Sequence, residues 1–161
     1  MSPASFFESP ATALTAREIT QIFDMEPFPL GGKACAQPPA PENNATDKEP
    51  QSVSTFLVLL EVGDVLAWHR YQGIQNWFWH AGGPVTMSLS PNGHDASALH
   101  LGSHFQAGQK PHLHIPTQSW MTAETLGEWS LLGCVYAPRF AADLFERAAD
   151  NWFPKPRPPA A

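Results

Sequence analysis

Two histidines one residue apart give this chain a pair of side chains that could carry chemistry. His112 and His114 lie in the segment PHLHIP, and on an extended strand residues two apart point to the same face. Two imidazoles on one face can converge on a metal ion, or they can act as an acid/base pair with pKa values pushed apart. The plain alternative is the solvent-facing side of an edge strand. We expect both histidines to face a pocket and to serve in catalysis.

A second group of candidates lies in the stretch HRYQGIQNWFWHAGG. Strand alternation places His69 and Tyr71 on one face, where a histidine can act as a general base near neutral pH. The same rule places Gln75, Trp77 and Trp79 on one face, and two indoles with an amide suit a flat or apolar ligand. The alternatives are a histidine bonded to backbone at a strand end and tryptophans that only fill the core.

The other histidines and the cysteines are less promising. His94, His100 and His104 fall in turns or on a presumed outer strand, so we interpret them as surface residues. Cys35 and Cys134 are too few for a disulfide framework and are expected to be small buried hydrophobes. Neither a Gly-x-Ser-x-Gly elbow, nor a P-loop, nor a Rossmann glycine fingerprint is present, which disfavours nucleophilic hydrolysis and nucleotide cofactors.

Composition narrows the class of protein and its partners. The chain has 161 residues, 43% of them hydrophobic and 15% charged, with a formal net charge of −6. Without a basic run, nucleic acid and anionic membranes are poor partners. The longest apolar runs, such as FLVLLEV, are too short to span a bilayer, and the first residues lack the pattern of a signal peptide. We expect a soluble, cytoplasmic protein.

The chain begins with a predicted helix over residues 14–25. Thr15 and Glu18 form a capping box, and Ile19, Ile22 and Phe23 form one apolar stripe. From residue 54 onward, short strands are separated by Gly, Pro and Asn-Gly turns, a pattern typical of a sandwich or barrel. A second helix is predicted over residues 140–150.

Two proline-rich segments interrupt or follow this single domain, which we place at residues 1–150. Residues 37–52 are polar and are predicted to form a loop insertion. Residues 151–161 contain four prolines in NWFPKPRPPAA and are predicted to form a loose tail.

Taken together and in order, several short motifs make the chain resemble the small cupin-5 family of the cupin superfamily. The resemblance implies an all-β fold, a double-stranded β-helix in which a jelly roll closes into a barrel, flanked by an N-terminal helix and a short C-terminal helix. It also implies a homodimer. The motifs are EPFPLGG (26–32), WHR (68–70), HAG (80–82), LSPNG (89–93), HLG (100–102), GC (133–134) and AP (137–138).

The resemblance also shows which metal-ligand positions have changed. The general cupin pattern places two histidines near His69 and Tyr71, a glutamate at Gln75 and a further histidine at Met121. Only His69 keeps the expected type, and a thioether is a poor ligand for the metals that cupins usually hold. Phe28 likewise replaces a histidine that is usual in the family. The frame of a metal site is thus retained without its ligands, and we expect neither a metal nor another cofactor.

These observations favour a metal-independent isomerase, lyase or cyclase that acts on a small, partly apolar or aromatic molecule. His69 with Tyr71 would move a proton, and His112 or His114 would act from the opposite side, as histidine and tyrosine do in nucleotide-sugar epimerases of the superfamily. Gln75 would hold a carbonyl or hydroxyl group of the substrate. The residues expected to shape the pocket are Phe28, Trp77, Trp79, Trp120 and Met121.

Two other functions stay open at this point. His69, His112 and His114 could bind Zn or Fe as a shifted ligand set with water in the open positions. Alternatively, the barrel could bind a small apolar molecule without turnover, with the histidines fixing only its orientation.

Overall fold

The structure is a computed structural model that describes residues 11–37 and 52–158. Nearly all of the predicted proline-rich loop, and the last three residues of the predicted tail, lie outside the described residues. A short 3-10 helix over Ala11–Ala13 precedes the first α-helix.

Helix α1 spans Ala16–Ile22 and is shorter at both ends than the predicted residues 14–25. The Thr15 side chain accepts from the backbone of Glu18, and the Glu18 side chain accepts from the backbone of Thr15, which confirms the capping box. The predicted stripe is wrong in part, because Ile19 is buried while Ile22 and Phe23 are 61% and 40% exposed. Within residues 11–37 and 52–158, no helix is long and apolar enough to cross a membrane.

The remaining described residues are organised mainly by β-strands, as the turn spacing predicts. Most strands are short and end at glycine, proline or polar turns. Their bounds are β1 (Glu26–Pro27), β2 (Lys33–Ala36), β3 (Ser54–Glu61), β4 (His69–Tyr71), β5 (Ile74–Gly82), β6 (Val85–Ser90), β7 (Ser97–Leu101), β8 (His112–Ile115), β9 (Trp120–Thr125), β10 (Trp129–Ala137) and β11 (Phe145–Arg147).

These strands form two antiparallel sheets, ordered β1-β2-β3-β10-β5-β8 and β11-β4-β9-β6-β7. Side chains from the inner faces of both sheets share one core, which includes Val58, Trp77, Met87, Met121 and Leu132. The predicted all-β architecture with an N-terminal helix is therefore confirmed. Helix α1 lies outside this core, where Ile19 packs with Leu59 and Trp129 on the outer face of the six-stranded sheet.

The predicted C-terminal helix over residues 140–150 is wrong. Ala142–Leu144 form a 3-10 turn, and the following residues form strand β11, which pairs with β4. The segment FAADLFERAAD suits a helix locally, but pairing with β4 adds a strand to the sheet and packs Phe145 against the core. Tertiary pairing thus overrides local helix propensity.

In the described part of the tail, residues 151–158, Trp152 packs against the five-stranded sheet and most of the other residues are exposed. The Trp152 ring lies 4.6 Å from the Trp120 ring and 5.6 Å from the Trp68 ring. The backbone N–H of Lys155 also donates to Gly93 O at 3.0 Å. An aromatic residue ahead of the prolines is what anchors this segment.

We expect Gly32→Ala to destabilise the protein more than Gly63→Ala. Both glycines have a positive φ, 69° and 92°, so both substitutions introduce backbone strain. An added Cβ at Gly32 would lie 2.6 Å from Leu59 O, whereas at Gly63 it would meet nothing within 4 Å. The overpacking should cost Gly32→Ala about 1–3 kcal/mol beyond the strain. Urea unfolding of both variants measures this, and equal losses would contradict the crowding around Gly32.

Candidate functional site

His69 lies inside the core at the start of β4, opposite Met121 of β9. Its side chain is 0% exposed. Nδ1 lies 2.9 Å from Ala67 O, and because a carbonyl oxygen can only accept, Nδ1 carries the proton of the neutral ring. Nε2 is buried without a hydrogen bond of normal length and angle among the described residues, and the Gln75 side chain is the polar group beside the ring. Because Nδ1 bears the proton, the Nε2 lone pair is available to accept one.

The protonation state of His69 is set mainly by its surroundings. Burial lowers its pKa from the ordinary 6.5 to about 4, and the Ala67 carbonyl and the nearby Gln75 side chain counter this only in part. His69 is therefore neutral at pH 7. A neutral imidazole with a free Nε2 can accept a proton from a bound molecule.

Gln75 and Trp77 lie inside the core and bond to each other. The Trp77 Nε1–H donates to Gln75 Oε1 at 3.0 Å, and both residues are buried. Trp79 packs at the edge of the same core and donates through Nε1 to Gly83 O at 3.1 Å. Strand alternation thus places all three on one face, where both tryptophans pack in the core, and Gln75 has already used its carbonyl oxygen within the protein.

The two tyrosines of the chain, Tyr71 and Tyr136, both point into the core, with ring centroids 5.0 Å apart. The Tyr71 hydroxyl lies 2.8 Å from Pro138 O and 2.6 Å from Arg139 O, so it donates to backbone. The Tyr136 hydroxyl is buried without a partner in the described residues. Burial raises the pKa of Tyr136 well above its ordinary value of 10, so the group remains a proton donor.

Sequence reasoning missed Tyr136. Alternation in EWSLLGCVYA puts Tyr136 on the face of Leu132 and Cys134, which are buried. The rarity of tyrosine in this chain was the one available signal, since the lack of a bonding partner is visible only in three dimensions.

An aromatic layer separates these polar groups from an apolar cleft with a volume of about 250 Å³. The Phe145 ring lies 5.4 Å from the His69 ring, and the Phe140 ring stacks on Tyr71 at 6.0 Å. The Phe56 ring lies 6.1 Å from both the Phe28 and the Tyr136 rings. Phe28, a predicted pocket residue, therefore lines the cleft together with Phe56, Phe140 and Phe145, which the sequence did not single out.

The expectation that His112 and His114 face a pocket is wrong. Both are exposed, because Leu113 and Ile115 of the same strand take the inner face. The His112 ring stacks on Phe78 at 5.5 Å, and His114 Nδ1 lies 3.2 Å from Asn76 Oδ1. These two histidines lie on the outer face of the six-stranded sheet, whereas His69 is buried inside. They therefore cannot act with it as an acid/base pair.

Trp120 is buried but lies outside the core that the two sheets share, contrary to its expected place in the pocket. Met121 points inward, and its neighbour Trp120 therefore faces the outer surface of the five-stranded sheet. There Trp120 packs on Trp152, and the Arg70 guanidinium lies 4.6 Å from the centre of its ring. Its function in the fold is to anchor the C-terminal segment.

Residues 17–148 match Cupin_5, described as Cupin superfamily (DUF985). The chain belongs to this family. No curated protein is similar enough in sequence to count as a relative.

Several solved structures have a fold similar to that of this chain. A protein from Shewanella oneidensis is 26% identical, with a TM-score of 0.74, and the match covers 84% of this chain and 85% of that one. A hypothetical protein from Leishmania major is 17% identical, with a TM-score of 0.70 and coverage of 83% and 86%. A dTDP sugar isomerase from Desulfovibrio desulfuricans is 16% identical, with a TM-score of 0.53 and coverage of 75% and 83%; this similarity shows the fold alone.

The residues at the cupin metal positions do not fit a metal ion. His69, Tyr71, Gln75 and Met121 are all buried, and His69 lies opposite Met121 and beside the Gln75 side chain. Only His69 among them is a good ligand for Zn, Fe, Mn or Ni. Within residues 11–37 and 52–158, no three His, Cys, Asp or Glu side chains are grouped to hold a metal, and the exposed His112 and His114 cannot join His69.

We expect His69 to contribute nothing to metal binding. Any rise in unfolding temperature on adding Zn²⁺ to the untagged protein should be the same in the wild type and in His69→Asn. The exposed pair on β8 offers the better Zn²⁺ half-site, so His114→Asn is the matched comparison. A rise that disappears in His69→Asn but persists in His114→Asn would show that the core holds the metal after all.

Burial of His69 should make the protein less stable as the pH falls. Between pH 6.5 and about 4 the unfolded chain binds a proton at this histidine and the folded chain does not, so the free energy of unfolding decreases on acidification. By pH 5 the loss should be about 2 kcal/mol relative to pH 7.5. Urea unfolding of His69→Gln should lack this part of the pH dependence. His112→Gln should keep it, and equal slopes in all three proteins would contradict a lowered pKa at His69.

Proposed function

We propose that this cupin is a metal-independent enzyme of the isomerase, lyase or cyclase type, in which His69 removes a proton from a small, partly apolar or aromatic molecule. The observation that carries the proposal is the Nε2 atom of His69, buried in an apolar core without a hydrogen-bond partner in the described structure.

A polar atom left in this state is costly to the fold. An unsatisfied buried group destabilises a protein by about 1–3 kcal/mol, and most buried polar atoms in proteins are paired. His69 is held by one bond from Nδ1 and by contact with Phe145, while Nε2 makes no hydrogen bond of normal geometry with the described residues, although the Gln75 side chain lies beside the ring. A leucine at this position would avoid the cost, so the imidazole favours a chemical function.

The low pKa of His69 restricts the substrates that it could deprotonate. A base with a pKa of about 4 is weak, so the proton must come from a group that is already acidified, such as a C–H next to a carbonyl. The Ala67 carbonyl would support the imidazolium that forms, because Nδ1–H donates to it throughout. The rate should therefore change little between pH 6 and 8, where His69 stays neutral.

The cleft above the aromatic layer favours a neutral and mostly apolar substrate. Phe28, Phe56, Phe140 and Phe145 line it, and among the described residues its one charged side chain is Glu26, with no lysine or arginine. A phosphorylated substrate would leave its charges unpaired there. To reach His69 from the cleft, the substrate would have to turn Phe145 or Phe140 aside.

Binding without turnover is the second candidate, and the filled core favours it. His69, Trp77 and Met121 are all 0% exposed, so the interior holds side chains where a substrate would have to lie. In this case the cleft alone would hold an apolar molecule. In an enzyme, His69 would be needed for turnover. In a binding protein, it would affect only the affinity for the ligand.

Proton abstraction can be tested without knowing the natural substrate. β-Tetralone is a small aromatic ketone with acidic C–H groups, and NMR in deuterium oxide follows the incorporation of deuterium beside its carbonyl. We expect the wild-type protein to accelerate this exchange and His69→Asn to lose most of the acceleration, in the range of roughly 100-fold or more for a general base. His112→Asn is the matched control and should retain it.

Three outcomes separate the candidates. Acceleration that depends on His69 supports an acid/base enzyme. Saturable binding of β-tetralone with no exchange above the buffer rate would favour the binding protein instead. Exchange that His69→Asn leaves intact would show that another group is the base.

A further inference from the structure

We infer that the Tyr136 hydroxyl binds the oxygen atom of the molecule on which His69 acts, so that the site selects small neutral carbonyl compounds. This inference rests on the proposed function and names its substrate class. It also gives a function to a residue that the resemblance to other cupins does not point to.

The first observation is that the core holds two unused polar atoms of opposite kind. Within residues 11–37 and 52–158, the buried side-chain atoms without a hydrogen bond are His69 Nε2 and the Tyr136 hydroxyl. The first has a free lone pair, since Nδ1 bears the ring proton. The second has a free O–H donor. An enolisable carbonyl compound offers the matching groups, an acidic C–H and an oxygen acceptor.

The second observation is that the two atoms belong to facing sheets around the same residues. His69 lies on β4, two residues before Tyr71, whose ring is 5.0 Å from the Tyr136 ring. Tyr136 lies on β10, directly opposite Gln75 of β5, and the Gln75 side chain is near enough to influence the pKa of His69. A molecule inserted between the sheets at this level would meet both groups.

The other hydroxyl at this level and the Gln75 carbonyl oxygen are already used. Tyr71 donates its hydroxyl to the backbone carbonyls of Pro138 and Arg139. Gln75, which was expected to hold the substrate oxygen, accepts from Trp77 through Oε1, and its amide NH2 group remains as a second donor near the site. Tyr136 is therefore the hydroxyl that can bond to a ligand without breaking a bond in the protein.

The resulting step is redox-neutral and needs no further reactant. His69 Nε2 takes a proton from the carbon beside the carbonyl, and the electron pair of that C–H bond forms the C=C bond of an enolate. The carbonyl π pair moves to the oxygen, which the Tyr136 O–H stabilises by a hydrogen bond. His69 then returns the proton to the same carbon or to a conjugated one, and the latter gives an isomer.

The test uses two ligands that differ in one oxygen atom. β-Tetralone and tetralin share a carbon skeleton, so the ratio of their dissociation constants, measured by calorimetry, reports the bond to the oxygen. We expect the wild type to bind β-tetralone about tenfold more tightly, the value of one hydrogen bond. Tyr136→Phe should bind both equally.

Two further variants guard against a general structural effect. Tyr71→Phe should keep the preference for β-tetralone, since its hydroxyl faces backbone, and His112→Asn should keep it as well. Tyr136→Phe should unfold at the same temperature as the wild type or higher, because the lost hydroxyl has no partner in the described part of the fold. A lower unfolding temperature would show that the hydroxyl is bonded inside the protein, which would overturn the inference.

Failure of this inference differs from failure of the proposed function. A preference for β-tetralone that Tyr136→Phe retains, or the lack of any preference in the wild type, would overturn the assignment of Tyr136. A preference that depends on Tyr136 without deuterium incorporation in the wild type would uphold the assignment and reject His69 as a base. Failure of the wild type to bind either ligand would count against both.

Discussion

The structure depends on one constraint, the sharing of a single interior by the inner faces of two β-sheets. Alternate residues of each strand enter that interior, and a polar group that enters must find a partner there. Trp77 meets this condition through Gln75, and Tyr71 meets it through the backbone that follows β10. His69 meets it with only one of its two ring nitrogens. Within the described residues, the buried side-chain atoms that lack a hydrogen bond are therefore His69 Nε2 and the Tyr136 hydroxyl.

The sequence predicted those parts of the fold that local patterns determine. The capping box involves residues three apart, and the strands are separated by turns that the residue types mark directly. The segment after β10 was mispredicted because its conformation depends on β4, which lies about seventy residues earlier in the chain. Alanine-rich sequence favours a helix there, and only the pairing of Phe145 with Tyr71 explains the strand.

Alternation predicts which residues share a face but not which face is inside. On β8 the alternatives were His112 with His114 or Leu113 with Ile115, and the aliphatic pair is buried. Burial of apolar area decides such a choice, since two aliphatic side chains stabilise a core by about 1.5–3 kcal/mol each. The chemistry that two histidines could perform does not offset this gain. Tyr136 could not be singled out in the same way, because the state of its hydroxyl depends on several other strands.

The aromatic layer links the reactivity of the core to the entry of a ligand. Phe140 and Phe145 keep His69 and Tyr136 away from water, and the same exclusion lowers the pKa of the first and raises that of the second. Both groups are therefore neutral and unreactive toward each other in the closed core. A carbonyl ligand that displaces the ring of Phe140 or Phe145 would place its polar oxygen beside these groups. The negative charge that develops on its oxygen would raise the pKa of His69 as the proton moves, so the base becomes stronger only when a substrate is in place.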